Sequence, residues 1–328
     1  SQRFGFLRTL CLITGAYGVG YAANTFSQNI WFSGFFFVIA MMGYGVFHNA
    51  AFSYLTVRTE RSMLGKVLGD FTAIGDIGRI PITAFAGFLA AWSVAGIPGW
   101  RFVCALFGAV ACCITLYLLW TWLRNGDAGG SPCEERKKPQ SLSLLRDRHT
   151  ASTVVANILD GFSGDQIFAF LPFLLFAKGM DPKVIGSFAL AFTVGCFAGK
   201  MACGRLVGIF GSRKVFITSK LLMSALLAVL VTAQGLPVII VTSILLGIVT
   251  KGTVPVLQTL LVEPVTDPQA YDDLFAVNTF ARGSTNILTP LLFGVIASAF
   301  SAEYIYVLMA IVSVFAVAPV LFGRPMRA

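Results

Sequence analysis

"GRLVGIFGSRKV", residues 204–215, decides how this chain is built. Gly204 and Gly208 stand at helical spacing near the end of an apolar run. Gly211 supplies a tight turn, Arg213 and Lys214 add positive charge, and a new apolar run begins. The first residues of the chain repeat the arrangement. Arg3-Phe4-Gly5-Phe6-Leu7-Arg8 lies against Ile209-Phe210-Gly211-Ser212-Arg213-Lys214, with the shared glycine 206 positions earlier. A second pair of landmarks keeps nearly the same offset: "IPITAFAGFLA" (80–90) and "LTPLLFGVIAS" (288–298) match at Gly87 and Gly294, 207 apart. The sequence reads as two copies of one unit.

That unit belongs in a membrane. Of 328 residues, 56% are hydrophobic and only 12% charged, and the mean hydropathy is +0.80. A soluble domain carries about 25% charged residues. A helix crosses a bilayer with about 20 apolar residues. That ruler gives ten spans, at 9–24, 30–56, 67–93, 102–123, 150–177, 184–207, 215–234, 237–262, 274–299 and 303–323. Most connections are short. The segment 124–149 is long, charged and rich in Gly, Pro and Ser, so it reads as a solvated linker. It divides an N-terminal bundle (1–123) from a C-terminal bundle (150–328).

The formal charge of +9 reads as topology rather than as affinity for nucleic acid. With residue 1 placed in the cytoplasm, sixteen of the 24 Lys and Arg fall in cytoplasmic segments. Arg101, Lys178 and Lys183 fall opposite, and five lie within spans. This predicts a multi-pass protein of the cell (inner or plasma) membrane, with both termini and the linker cytoplasmic. Six of the seven cysteines lie in apolar stretches, with no CxxC and no Cys/His cluster, so neither a cofactor nor a metal site is expected.

The repeat and the glycine–basic loop resemble the major facilitator superfamily of secondary transporters. Its cytoplasmic signature has the form G-x-x-x-D-R-x-G-R-R/K. Gly204, Gly211, Arg213 and Lys214 match it, while Gly208 and Ile209 stand where Asp and Arg are usual. "SQRFG" is similar to the tail of the first copy, through Arg3 and Gly5, with Gln2 in place of the usual Asp. "GWRFVCALFGA" (99–109) and "RSMLGKVLG" (61–69) also resemble segments of the family. The resemblance implies an all-α fold of two pseudo-symmetric helical bundles and a transporter rather than an enzyme. It implies twelve helices, of which ten are present. The missing pair would precede Ser1, and the spans count as helices three to twelve; the alternative is a protein of ten helices. It also implies that the first, fourth, seventh and tenth spans stand outside the central cavity.

The charges follow that division. "GCFAGKM" (195–201) has the wrong glycine spacing for a phosphate loop and lies within a span, so transport must draw on a gradient. A charge inside a bilayer is costly and is a functional candidate by default. The third span carries Asp76 and Arg79, placed to pair at i, i+3. The fifth carries Asp160 and Asp165 beside Gly161 and Gly164, the sixth Lys200, the eighth Lys251 and the ninth Arg282. Lys220 lies toward the cytoplasmic end of the seventh span, where it can snorkel. Tyr44 and His48 share one face of the second span, and a His there could relay protons or be a packing group. The expected substrate and proton-coupling set is Asp160, Lys251, Arg282, Asp76, Arg79, Asp165, His48 and Tyr44, with Asp160 as the coupling carboxylate and Lys251 able to neutralise it. The expected gate set is Arg3, Gly5, Gly204, Gly208, Gly211, Arg213 and Lys214.

Four cavity cations against three carboxylates favour a small anionic or zwitterionic solute, moved by alternating access with protons or another coupling ion. The rival is a proton-driven efflux pump for drugs or cations, disfavoured because Ile80 precedes Pro81 where its helix-five pattern has Gly. A metal-ion carrier using Asp160 and Asp165 is a lesser alternative, and a non-transporting receptor a last one. A monomer surrounded by membrane lipid, with a small-molecule substrate, is expected.

Overall fold

The computed structural model describes residues 6–91, 93–94, 97–126, 145–180, 182–265, 267 and 270–323. Arg3, Gly5 and most of the 124–149 linker lie outside these residues. All ten expected spans are helical. They are α1 (Phe6–Asn24), α2 (Ile30–Arg58), α3 (Leu64–Ala91), α4 (Gly99–Asn125), α5 (Arg148–Gly164) with α6 (Ile167–Ala177), α7 (Pro182–Phe210), α8 (Ser212–Thr232), α9 (Leu236–Val262), α10 (Ala270–Ala299), and α11 (Ala302–Phe315) with α12 (Val317–Phe322). A two-residue antiparallel ladder pairs Ser93 with Pro98 and Val94 with Ile97 between α3 and α4. Seven stretches of the described residues are long and apolar enough to cross a membrane, including Arg148–Ala177 and Ala302–Phe322.

Two spans read as single helices are broken, each for a local reason. The fifth is interrupted at Asp165 and Gln166, after Gly161 and Gly164. Glycine weakens a helix interior, and Tyr306 Oη donates to Ile167 O at 2.9 Å, holding the second piece. The tenth breaks at Ala316. Pro319 has no N–H to give Phe315 O, so the ladder cannot run through.

The backbone forms two compact units. One comprises residues 1–54 and 81–139, the other 55–80 and 140–328. In the first, α1 is held by small residues. A Cβ at Gly20 would press on Phe36 O and Ala40 of α2, and one at Gly108 on the backbone of Ala22. The ring of Tyr21 lies 5.5 Å from Phe37 and 5.3 Å from Phe107, and Arg101 Nη2 donates to Ser27 O at 2.6 Å.

The second unit is centred on the crossing of α7 and α9. A Cβ at Gly195 would collide with Ile244 O, one at Gly199 with Ile248 O, and one at Gly247 with Phe192 O. The two backbones are in direct contact. In lipid, where apolar burial drives little association, such close approach supplies the packing energy. The aromatic and aliphatic core beside it includes Phe188, Phe192, Met223, Leu227, Phe293 and Tyr306. Asp147 caps α5, its carboxylate accepting from Thr150 N at 2.8 Å. Gly211, at φ 82°, makes the turn from α7 to α8 that the sequence required of it.

Candidate functional site

Within the second unit, four elements bring five charged side chains together. Asp160 sits mid-helix on α5 and Asp165 at the break after it. Lys220 comes from α8, Lys251 from α9 and Arg282 from α10. Arg282 is the hub. Its Nε and Nη2 grip Asp165 Oδ2 and Oδ1 at 2.8 Å each, a two-pronged bond. Its Nη1 reaches Asp160 Oδ2 at 3.0 Å and Asn157 Oδ1 at 2.7 Å. Gly161 lies beside this pair, and a Cβ there would just touch both Arg282 Cγ and Asp165 Oδ2 at 3.4 Å. Asn157 in turn donates to Asn278 Oδ1 at 2.9 Å.

Each carboxylate has a lysine of its own. Lys220 Nζ lies 2.5 Å from Asp160 Oδ1, an oxygen that also accepts from Thr253 Oγ1 at 2.9 Å. Lys251 Nζ lies 2.7 Å from Asp165 Oδ1. Pro255 lacks the N–H that would take up the carbonyl of Lys251, which loosens α9 there. The two lysines differ in access. The side chains of Lys220 and Asp160 are 0% and 1% exposed, those of Lys251 and Asp165 25% and 11%.

Several expectations change. Lys220 does not snorkel. Its face of α8 also carries Phe216 and Met223, both buried, and that face turns inward. Lys251 takes Asp165 as its partner, and Asp160 is taken by Lys220 and Arg282 instead. Asp76 pairs with Lys200 of α7 at 2.6 Å, and Lys200 also reaches Thr72 O at 3.3 Å; the side chain of Arg79 lies outside the described residues. Tyr44 and His48 pack at a tilt in the first unit, ring centroids 4.3 Å apart and planes at 50°, with His48 Nδ1 at 3.2 Å from Tyr44 O.

Of the gate set, Gly204 lies against Gly65 O and Gly69 Cα of α3, a contact no side chain would permit. Gly208 approaches Ser62 O. Arg213 Nη2 donates to Leu321 O, and Lys214 is exposed. The neighbouring Arg205 lies 3.7 Å from Asp70. No group of three or more His, Cys, Asp or Glu among the described residues is arranged to hold a metal ion.

Residues 151–328 match the family model of the Major Facilitator Superfamily. The chain belongs to that superfamily. Its fold is similar to that of the E. coli fucose:proton symporter FucP, at 17% identity over 98% of this chain and 85% of that one, TM-score 0.74. It is also similar to the proton:xylose symporter XylE bound to 6-bromo-6-deoxy-D-glucose, at 15% identity, 97% and 80% coverage, TM-score 0.68. A bacterial homologue of the iron transporter ferroportin aligns at 12% identity, 97% and 83% coverage, TM-score 0.72. No curated protein sequence matches the chain. This member of the superfamily is a multi-pass membrane protein and a secondary transporter, not an enzyme.

Proposed function

We propose that the protein moves a small anionic or zwitterionic solute by alternating access, and that the five-charge network is where the solute's negative group binds. One observation carries this reading. Two carboxylates face three cations, leaving one positive charge uncompensated within the network, and the more exposed cations, Lys251 and Arg282, are on its accessible side. A charge left uncompensated at membrane depth is unfavourable by about 2.5–3.5 kcal/mol on insertion scales. A solute carboxylate would complete the balance.

Binding competes with Asp165 for Lys251 and Arg282. The displaced aspartate can then take a proton, which returns the loaded network to the one-charge surplus of the empty one, so solute and proton travel together, as the names of FucP and XylE state for their sugars. On this reading the bundles of residues 1–123 and 150–328 move about the site. The termini and the 124–149 linker face the cytoplasm of the cell membrane, and the protein works as a monomer among lipids. A drug or cation pump is less well supported, because a cationic solute would have to displace a lysine or arginine already seated on each carboxylate. The same competition weighs against a metal-ion carrier.

The test is thermal stabilisation of the purified protein by lactate, gluconate and glutamate, set against glucose and tetraphenylphosphonium. Stabilisation by an anion, lost in Lys251→Ala, is the expected result. Stabilisation by tetraphenylphosphonium alone, lost in Asp165→Asn, would overturn the reading in favour of cation efflux.

A further inference from the structure

We infer that Lys220 is a positioning residue that reserves Asp160 as a fixed counter-charge, leaving Asp165 as the carboxylate that exchanges its cation and proton during transport. The inference rests on the anion reading above for what binds, but the division between the two aspartates comes from geometry alone.

Lys220 comes from α8, a helix whose family position lies outside the cavity, and its ammonium reaches Asp160 on α5. Its nitrogen also lies 3.2 Å from Ser163 Oγ and 3.4 Å from Met223 Sδ, which occupies the remaining donor directions. Asp160 is equally filled: Oδ1 holds Lys220 and Thr253, and Oδ2 holds Arg282. Neither group has water access. A lysine–carboxylate pair is neutral as a unit, and a dry, fully bonded pair has nothing to gain from exchange. Subtracting it leaves Asp165 against Lys251 and Arg282, all partly accessible, and these three carry the whole surplus charge.

Asp160 has a second consequence for Arg282. By taking one prong of the guanidinium through Oδ2, it fixes the plane in which the other two meet Asp165. Without Lys220, Asp160 would draw Arg282 toward itself and away from Asp165. Lys220 therefore tunes the solute site without touching it.

The experiment compares Lys220→Met, the pair Lys220→Met/Asp160→Asn, and Asp165→Asn in the whole chain in detergent and in proteoliposomes. Two quantities are read: the melting temperature without solute, and the half-saturating concentration and pH profile for lactate, gluconate and glutamate. Lys220→Met alone should lower the melting temperature and raise the half-saturating concentration about tenfold or more. The added Asp160→Asn, which removes the orphaned charge, should bring the melting temperature back toward the parent's. Asp165→Asn should remain folded and lose the pH dependence of uptake. If the double variant melts no higher than the single one, or if Asp165→Asn keeps the parent pH profile, the inference is wrong. If the parent binds none of the three anions, the anion reading fails separately, and the melting comparison still decides the role of Lys220.

Discussion

The two units of this molecule are packed alike and charged differently. Both bring helices together through glycine: Gly20 and Gly108 in the first, Gly195, Gly199 and Gly247 in the second. Beyond that they diverge. The described interior of the first relies on rings, with Tyr21 between Phe37 and Phe107, and on uncharged polar contacts such as Ser33 Oγ to Asn24 Oδ1 at 2.6 Å. The second buries whole ions, Lys220 among them. Glycine and aromatic packing are sufficient to assemble helices in lipid. Buried ions add little net stability, because desolvation offsets their attraction, and they persist where a site or a switch needs them. On the reading proposed above, the contrast separates what holds the helices together from what does the work, and it points to the second unit for the work. The family match covers the same part of the chain, residues 151–328.

The largest expected effect is at the hub. Arg282→Met removes the shared cation of Asp160 and Asp165 and leaves Asn157 Oδ1 without its donor. Breaking a buried ionic arrangement on one side costs about 3–5 kcal/mol, so thermal unfolding should shift down strongly and uptake should cease. Retained uptake by Arg282→Met would break the assignment of function to the second unit.

Overpacking comes next, and it tests where the units should agree. Gly199→Val drives a side chain into the backbone at Ile248, and Gly108→Val does the same at Ala22. Each should destabilise by about 1–3 kcal/mol, seen as similar falls in melting temperature. A loss confined to Gly199→Val would mean that the first unit tolerates helix separation and that the shared packing logic is false.

A smaller effect is expected at the pair joining α3 to α7. Lys200→Met removes the ammonium that lies 2.6 Å from Asp76, and the loss of that charged hydrogen bond should cost about 1–3 kcal/mol. The double variant with Asp76→Asn should recover most of it in the same melting assay. An additive loss in the double variant would show that the two residues act independently.

How much of this was readable from the chain depends on what each feature requires. The ten helical spans were legible in outline from their apolar runs, although only seven of the described stretches meet the length and apolarity of a membrane span outright. Gly211 was legible too, because a turn flanked by apolar runs and bases needs a positive φ. The partners of the charges were not. Sequence spacing places Asp76 to pair with Arg79, whose side chain lies outside the described residues, and gives no sign of Lys200, which reaches Asp76 from 124 residues away across the Gly69–Gly204 approach of two helices. Lys220 escapes a sequence reading because it lies toward the cytoplasmic end of an apolar span, where a lysine can snorkel. The signal that could have found it is the stripe Ser212, Phe216, Ser219, Lys220 and Met223, small and bulky residues recurring at helical spacing on what proves the buried face.

The smallest expected effect decides most sharply between the units. His48 is the one titratable imidazole of the first unit's described spans, packed at a tilt against Tyr44 with its Nδ1 near Tyr44 O. Its neighbours Phe47 and Phe52 offer ring contacts, with centroids at 5.6 and 6.0 Å. Those surroundings suit a packed ring, and phenylalanine would keep the ring contacts while removing the titration and the Nδ1 contact with Tyr44 O. His48→Phe should therefore change stability by about 0.5 kcal/mol or less, and the pH profile of uptake should match the parent's across the range where imidazole titrates. A profile altered between about pH 5 and 8 would instead make His48 a proton carrier. Coupling would then be shared between the units, and Asp165 would be one station of a relay rather than its end.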